Sequence, residues 1–188
     1  MADAMLAHYP DAHVAIQNSG GVRADLPAGV VRREDLQAMM PFDNRLYKVQ
    51  IRGDKLVELF RLGSSGAHGI LQIAGGTYQF DPEKTGGSDL DGDGEVGDWE
   101  TDRLCGVTVG GEPVDPDTTY TLITTDFLYD GGDHLGHAFE GATLVEEGPL
   151  LREVLYDAVS SLEGTCLGAD GPLVDPESPR VIQAACVP

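Results

Sequence analysis

Basic residues are scarce in this chain. Twelve lysines and arginines stand against 32 aspartates and glutamates in 188 residues, for a formal charge of −20. That balance excludes a general nucleic-acid or anionic-membrane surface, where a basic face supplies most of the affinity. Long apolar runs are missing too, and the longest fall far below the ~20 residues of a membrane-spanning helix. Met1–Pro10 has neither the basic start nor the continuous apolar stretch of a secretory leader. It opens on Ala2-Asp3-Ala4-Met5-Leu6-Ala7, which reads as the tail of a helix, so a piece of a longer protein is expected. Cysteine numbers only three (Cys105, Cys166, Cys186), so one at least lacks a partner within the chain. Glycine, by contrast, is plentiful: 25 residues, about twice the usual share. The length suits one domain with a real core, needing neither metal nor disulfide merely to fold.

Short strands and short helices alternate. His13–Gln17 is a compact apolar run of strand type, stopped by Asn18-Ser19-Gly20-Gly21. Arg33–Met40 reads as a helix, with Glu34 and Asp35 favourable at its positive end. Tyr47, Val49 and Ile51 alternate with polar neighbours as in a half-buried strand. Gly53 and Asp54 then lead into a helix carrying Leu56, Val57, Leu59 and Phe60. Ile70–Ile73 and Tyr78–Phe80 flank Gly75-Gly76, which predicts a hairpin. Val107–Val109 and Tyr120–Ile123 predict a second. The strongest helical periodicity lies in Pro149–Leu162, with proline in the first turn. The mixture favours an α+β layered domain, with mixed or antiparallel sheets and packed helices, over a doubly wound parallel sheet. Within this single domain, 1–188, an acidic insertion occupies about 81–104 and a Gly/Pro-rich tail 163–188.

The segment Asp81–Asp102 concentrates the negative charge: nine acids and one base, a net −8. Inside it, residues 89–100 match a twelve-residue calcium loop position by position. Asp89, Asp91 and Asp93 stand at positions 1, 3 and 5. Glu95 offers a backbone carbonyl at 7, and Glu100 closes the shell at 12. Gly94 permits the sharp turn at 6, and a water would fill the place of Gly97 at 9. Clustered carboxylates repel unless a hard cation neutralises them. The competing reading is a solvated acidic loop. A lone loop without long flanking helices fits a structural staple better than a sensor.

Three separated segments set glycines or an aromatic beside polar groups able to hold a ligand. They are Asn18-Ser19-Gly20-Gly21-Val22-Arg23, Pro41-Phe42-Asp43-Asn44, and Asp126-Phe127-Leu128-Tyr129-Asp130-Gly131-Gly132-Asp133. Each alone is weak, since Gly-Gly turns are common and a loop phenylalanine often plugs a core. In this order they resemble the C-terminal, substrate-specificity domain of the 5′-nucleotidase family. That family includes UDP-sugar hydrolases and 2′,3′-cyclic-nucleotide phosphodiesterases. The shared segments are N-x-G-G-(V/I)-R at 18–23, P-F at 41–42 and a stretch ending in G-G-D at 131–133. Asp126 departs from the pattern, where asparagine is frequent.

The resemblance implies a nucleotide-binding domain. By analogy, Phe42 and Phe127 sandwich the base, Asp133 accepts from the ribose hydroxyls and Asn18 meets the base edge. Arg23 reaches the ribose or phosphate, and Gly20, Gly21, Gly131 and Gly132 allow close approach of the backbone. A further pocket arginine of the family falls upstream of this chain. Catalysis in the family belongs to a separate N-terminal metallophosphatase domain with two divalent metals, and no G-N-H segment of that kind occurs here. The chain alone is therefore expected to bind but not to turn over substrate. The alternative is a non-catalytic, calcium-stabilised extracellular binding or adhesion module.

His134 and His137 have a spacing able to bind a metal, but a short helix over the pocket rim, with Leu135 and Ala138 inward, is favoured. His8, His13 and His68 have no partners in sequence and read as surface or edge residues. Cys166 and Cys186 bracket the weakly apolar tail, and a disulfide between them is favoured over free thiols. Cys105 then reads as a small buried hydrophobe. Calcium loop and disulfide together suit a periplasmic, cell-surface or extracellular setting.

Overall fold

The computed structural model describes residues 1–66, 68–162 and 178–186. Helices α1 to α5 are Ala2–His8, Arg33–Met39, Gly53–Gly63, Asp126–Tyr129 and Leu151–Ser160. Strands β1 to β4 are Val14–Asn18, Arg45–Arg52, Leu71–Ala74 and Gly76–Phe80. Strands β5 to β9 are Leu104–Val109, Glu112–Pro113, Thr119–Thr125, Thr143–Leu150 and Val181–Gln183. The first sheet has the order β3-β1-β7-β2-β8 and the second β6-β5-β4-β9. Both are mixed, as β1 pairs parallel with β7, and β4 parallel with β9. The α+β layered class expected from the sequence is the one found.

Strand β1 is buried throughout because both faces of its sheet are covered, apolar over Val14–Ile16 and polar at Gln17 and Asn18, where it meets the cleft. Val14 and Ile16 join a core with α3 (Leu56, Leu59, Phe60) and the second sheet (Tyr78, Phe80, Val107). Ala15, between them, joins a second core with α1 and α5 (Met5, Leu151, Val154, Leu155). The side-chain period of two thus distributes one strand between two cores. Buried Tyr78 links the sheets, donating its hydroxyl proton to the Leu71 carbonyl at 2.7 Å.

Four local expectations are corrected. Ile70–Ile73 and Tyr78–Phe80 do not form a hairpin, because β3 pairs with β1 in the first sheet while β4 pairs with β5 in the second. Gly75, at φ +84°, turns the chain from one sheet to the other. A strand–glycine–strand pattern has the same local chemistry in both arrangements. Nor do Val107–Val109 and Tyr120–Ile123 pair with each other. β5 turns back on the short β6, and β7 returns to the first sheet between β1 and β2. Helix α5 starts at Leu151 rather than Pro149, which instead lies in the last residues of β8.

The fourth correction concerns the disulfide. It joins Cys105 to Cys186, with a Cα–Cα distance of 5.2 Å. Cys105 is thus bonded, not a free buried thiol, and the expected Cys166–Cys186 pairing is overturned. Cys166 lies outside the described residues. The cause is the parallel pairing of β9 with β4 (Tyr78 opposite Val181, Phe80 opposite Gln183), which carries the tail alongside β5, the other neighbour of β4. Proximity in sequence misled where sheet pairing decided.

Candidate functional site

One edge of the first sheet gathers the chain segments singled out by sequence. β1 and β7 run parallel, so their C-terminal ends emerge together, carrying Asn18-Ser19-Gly20-Gly21 and α4 with Phe127. β2 and β3 run antiparallel to those strands. Their N-terminal ends therefore bring Phe42–Asn44 and His68 to the same edge. The result is a cleft of about 350 Å³ lined by Asn18, Gly20, Gly21, Arg23, Phe42 and Phe127, together with Asn44, His68 and Asp133. Phe42 is 36% exposed and Phe127 43%, so neither ring is a core plug.

The polar groups are arranged in series. Gln17 Nε2 donates to Asn18 Oδ1 at 3.0 Å, and Asn18 Nδ2 donates to Asp133 Oδ2 at 2.7 Å. Among the described residues the other Asp133 oxygen has no hydrogen-bond partner, so it can accept from a ligand. Asn18 thus supports Asp133, and because its amide carries two N–H donors and two carbonyl lone pairs each of these atoms has capacity for a second hydrogen bond in the cleft it lines. Arg23 places its guanidinium 5.3 Å from the Phe42 ring centroid, a cation–π contact. Gly21 lies so close beneath this network that a Cβ there would stand 2.6 Å from Gln17 Nε2.

Gly132 serves Phe127. A Cβ added at 132 would lie 2.5 Å from two ring carbons and 2.6 Å from the carbonyl oxygen of Phe127. Gly132→Ala is expected to cost about 1–3 kcal/mol through overpacking. Thermal unfolding measures it, and an unchanged midpoint would show that the ring yields freely. Gly131, at φ +102°, starts the turn that delivers Asp133.

The acidic loop packs beside this turn. Asp89, Asp91 and Asp93 can each place a carboxylate oxygen within 4.8 Å of the others, a donor set suited to a hard cation. Glu95 and Glu100 are not part of that group. Glu100 is 2% exposed and its carboxylate accepts from the loop's own backbone. Gly97 N–H donates to Oε2, and the N–H groups of Leu90 and Asp91 donate to Oε1 at 2.7 and 3.2 Å. These bonds, with that from Gly97 foremost, hold the Glu100 carboxyl below the usual range.

The histidines separate by environment. Leu135 and Ala138 point inward as expected, at 1% and 0% exposure. His137 faces Glu58 at 2.9 Å and Glu140 at 3.3 Å, so it does not form a metal pair with His134. His134 is instead stacked on Trp99 and on His68. His68 is exposed, as expected, but it has a partner in His134 and lines the cleft because β3 lies antiparallel to β1. No sequence signal marks that position. Asp11 and His13, a D-x-H triplet, take structural roles: Asp11 pairs with Lys48 at 2.5 Å, and His13 Nδ1 accepts from Thr121 N–H at 2.8 Å.

Comparison with known proteins identifies the family and the fold. The sequence model described as 5′-nucleotidase, C-terminal domain matches residues 1–141. An apyrase of Tabanus yao is 30% identical over 134 residues, 67% of this chain and 23% of that protein. A cell wall protein of Listeria monocytogenes is 32% identical over 142 residues, 72% of this chain and 17% of that protein. Protein UshA of Escherichia coli is 26% identical over 144 residues, 77% of this chain and 23% of that protein. The chain thus spans less than a quarter of the length of these relatives. The crystal structure of a 5′-nucleotidase precursor from Thermus thermophilus superposes with a TM-score of 0.71 at 24% identity, over 98% of this chain and 32% of that one. The NAD nucleotidase of Haemophilus influenzae gives 0.65 at 21% identity, over 85% and 29%. At these identities the two structures speak for the fold, and the sequence match speaks for descent. Fold and sequence converge: the chain belongs to the 5′-nucleotidase C-terminal domain family.

Proposed function

We propose that the cleft binds a nucleoside or nucleotide, as the substrate-specificity domain of a secreted, metal-dependent 5′-nucleotidase-type phosphoesterase. The base lies between Phe42 and Phe127, the ribose hydroxyls meet Asp133, and Arg23 sits toward the phosphate. The observation that carries this reading is the pair of half-exposed phenylalanines lining one cleft with an incompletely bonded carboxylate. Stacking supplies affinity without choosing among bases, and a carboxylate suits a vicinal diol. Hydrolysis is assigned to an N-terminal metallophosphatase domain of the parent, whose two divalent metals would activate water. Among the described residues no helix is long and apolar enough to cross a membrane. The disulfide favours an oxidising location: periplasm, cell surface or medium.

Calorimetric titration with adenosine, AMP and UDP-glucose tests the assignment. Binding of at least one is expected, with no phosphate released from AMP by the chain alone. Absence of binding by all three would overturn the pocket and leave the extracellular binding module, to which the Listeria relative's name lends some support.

The acidic loop is proposed to hold calcium through Asp89, Asp91 and Asp93, with the Glu95 carbonyl as a further donor. Glu100 braces the loop and would join the shell by releasing its backbone donors. Calcium at a hundred times its dissociation constant stabilises by about 2.7 kcal/mol, so it should raise the melting temperature. Asp89→Ala should abolish that rise; a mutant that keeps it removes the site.

A further inference from the structure

An aromatic column joins the acidic loop to the carboxylate of the cleft. Trp99 stacks on His134 with ring centroids 4.5 Å apart and planes at 13°. His134 stacks in turn on His68 at 4.8 Å and 30°. One end of the column stands beside Glu100, the buried brace of the loop, and the other lines the cleft. Its middle ring belongs to the residue directly after Asp133.

The backbone there needs support. Asp133 and His134 have φ of +55° and +61°, two successive non-glycine residues in the left-handed region. That conformation is unfavourable for side-chain-bearing residues and persists where the surroundings impose it. A ring held between two others fixes the His134 side chain and so resists relaxation of the turn. Asn18 holds one oxygen of Asp133, at 2.7 Å, but a single hydrogen bond does not set the direction of the backbone.

We propose that Trp99 and His134 are positioning residues for ribose recognition: the Trp99–His134–His68 column holds the left-handed turn that aims Asp133 into the cleft. Trp99 touches no bound nucleoside in this scheme and acts through His134. The inference rests on the reading of Asp133 as the acceptor for the ribose diol. It assigns the acidic loop a part in specificity that does not require a cation in it.

The test compares adenosine with 2′,3′-dideoxyadenosine by calorimetry, in chelator throughout, with circular dichroism to verify folding. Trp99→Ala should weaken adenosine about tenfold, the scale of one hydrogen bond to a charged group, while dideoxyadenosine binding stays unchanged. Trp99→Phe, which keeps a stacking ring, should restore most of the difference. His134→Ala should reproduce the loss and serves if the tryptophan variant does not fold. Equal weakening of both nucleosides, or no weakening of either, overturns the proposal. Asp133→Asn separates this from the underlying reading. If it discriminates as the wild type does, or if the wild type itself does not discriminate, the diol assignment falls and the column's role with it. If Asp133→Asn abolishes discrimination while Trp99→Ala and His134→Ala retain it, the column's role alone is lost.

Discussion

Phe127→Ala is expected to weaken adenosine binding by about 1–3 kcal/mol, or about five- to 150-fold. The ring is 43% exposed in the free chain, so its removal leaves little of a core cavity. Its position is set locally: α4 begins where β7 ends, the Phe127 N–H is held by Asp126 Oδ1 at 2.7 Å, and Gly132 leaves room for the ring. Truncation should therefore remove a stacking surface without unfolding the domain. Adenosine and uridine should lose affinity in similar proportion, because stacking reads a π-face and not a base edge. Phe42→Ala should show a smaller loss, since the Arg23 guanidinium over that ring can itself stack on a base. Titrations of both nucleosides against both variants decide the matter. Unchanged affinity in Phe127→Ala would remove the base from the cleft.

Loss of the Cys105–Cys186 disulfide is expected to be the largest single effect on stability. The bond spans 81 residues of sequence, and constraining a loop of that size in the unfolded chain is worth about 4 kcal/mol. Domains of this kind have only about 5–15 kcal/mol in total. The segment it ties down is otherwise weakly attached. β9 has three residues at a sheet edge, backed by Gln79 Nε2 donating to the carbonyls of Ala184 and Ala185 at 3.3 and 2.9 Å. An exposed Arg180–Asp3 pair adds little. Cys105→Ser with Cys186→Ser should lower the melting temperature by about 8–16 °C. Peptide mapping under non-reducing conditions should recover Cys105 linked to Cys186. A Cys166–Cys186 peptide would refute the pairing.

Sequence patterns carried the site further than they carried the topology. The glycine-flanked motifs around Asn18, Phe42 and Asp133 were legible because close approach and stacking demand particular residue types. The structure places all three on one cleft. Strand pairing was less legible. Gly75 between two apolar runs looks the same whether the chain folds back or changes sheet, and only the partners β1 and β5 decide between them. His68 and Trp99 carried no readable signal, since what makes them interesting is the ring of His134, distant from both in sequence.

Scarce basic residues and an acidic stretch at 81–102 were visible from the outset, and so was the chance of a cation in the loop. The donor chemistry of Asp89, Asp91 and Asp93 is intrinsic to their spacing, because a tight twelve-residue loop brings those side chains together by local geometry alone. The sequence by itself also determined the layered α+β class, through hydrophobic periods short enough to be read locally. Tertiary structure alone decided which cysteines join, where strands change sheet, and that the acidic loop stands against the turn bearing Asp133. The physical reason is one of range. Turn and ligand chemistry act over a few residues, whereas sheet order and ring stacking depend on contacts between segments far apart in the chain.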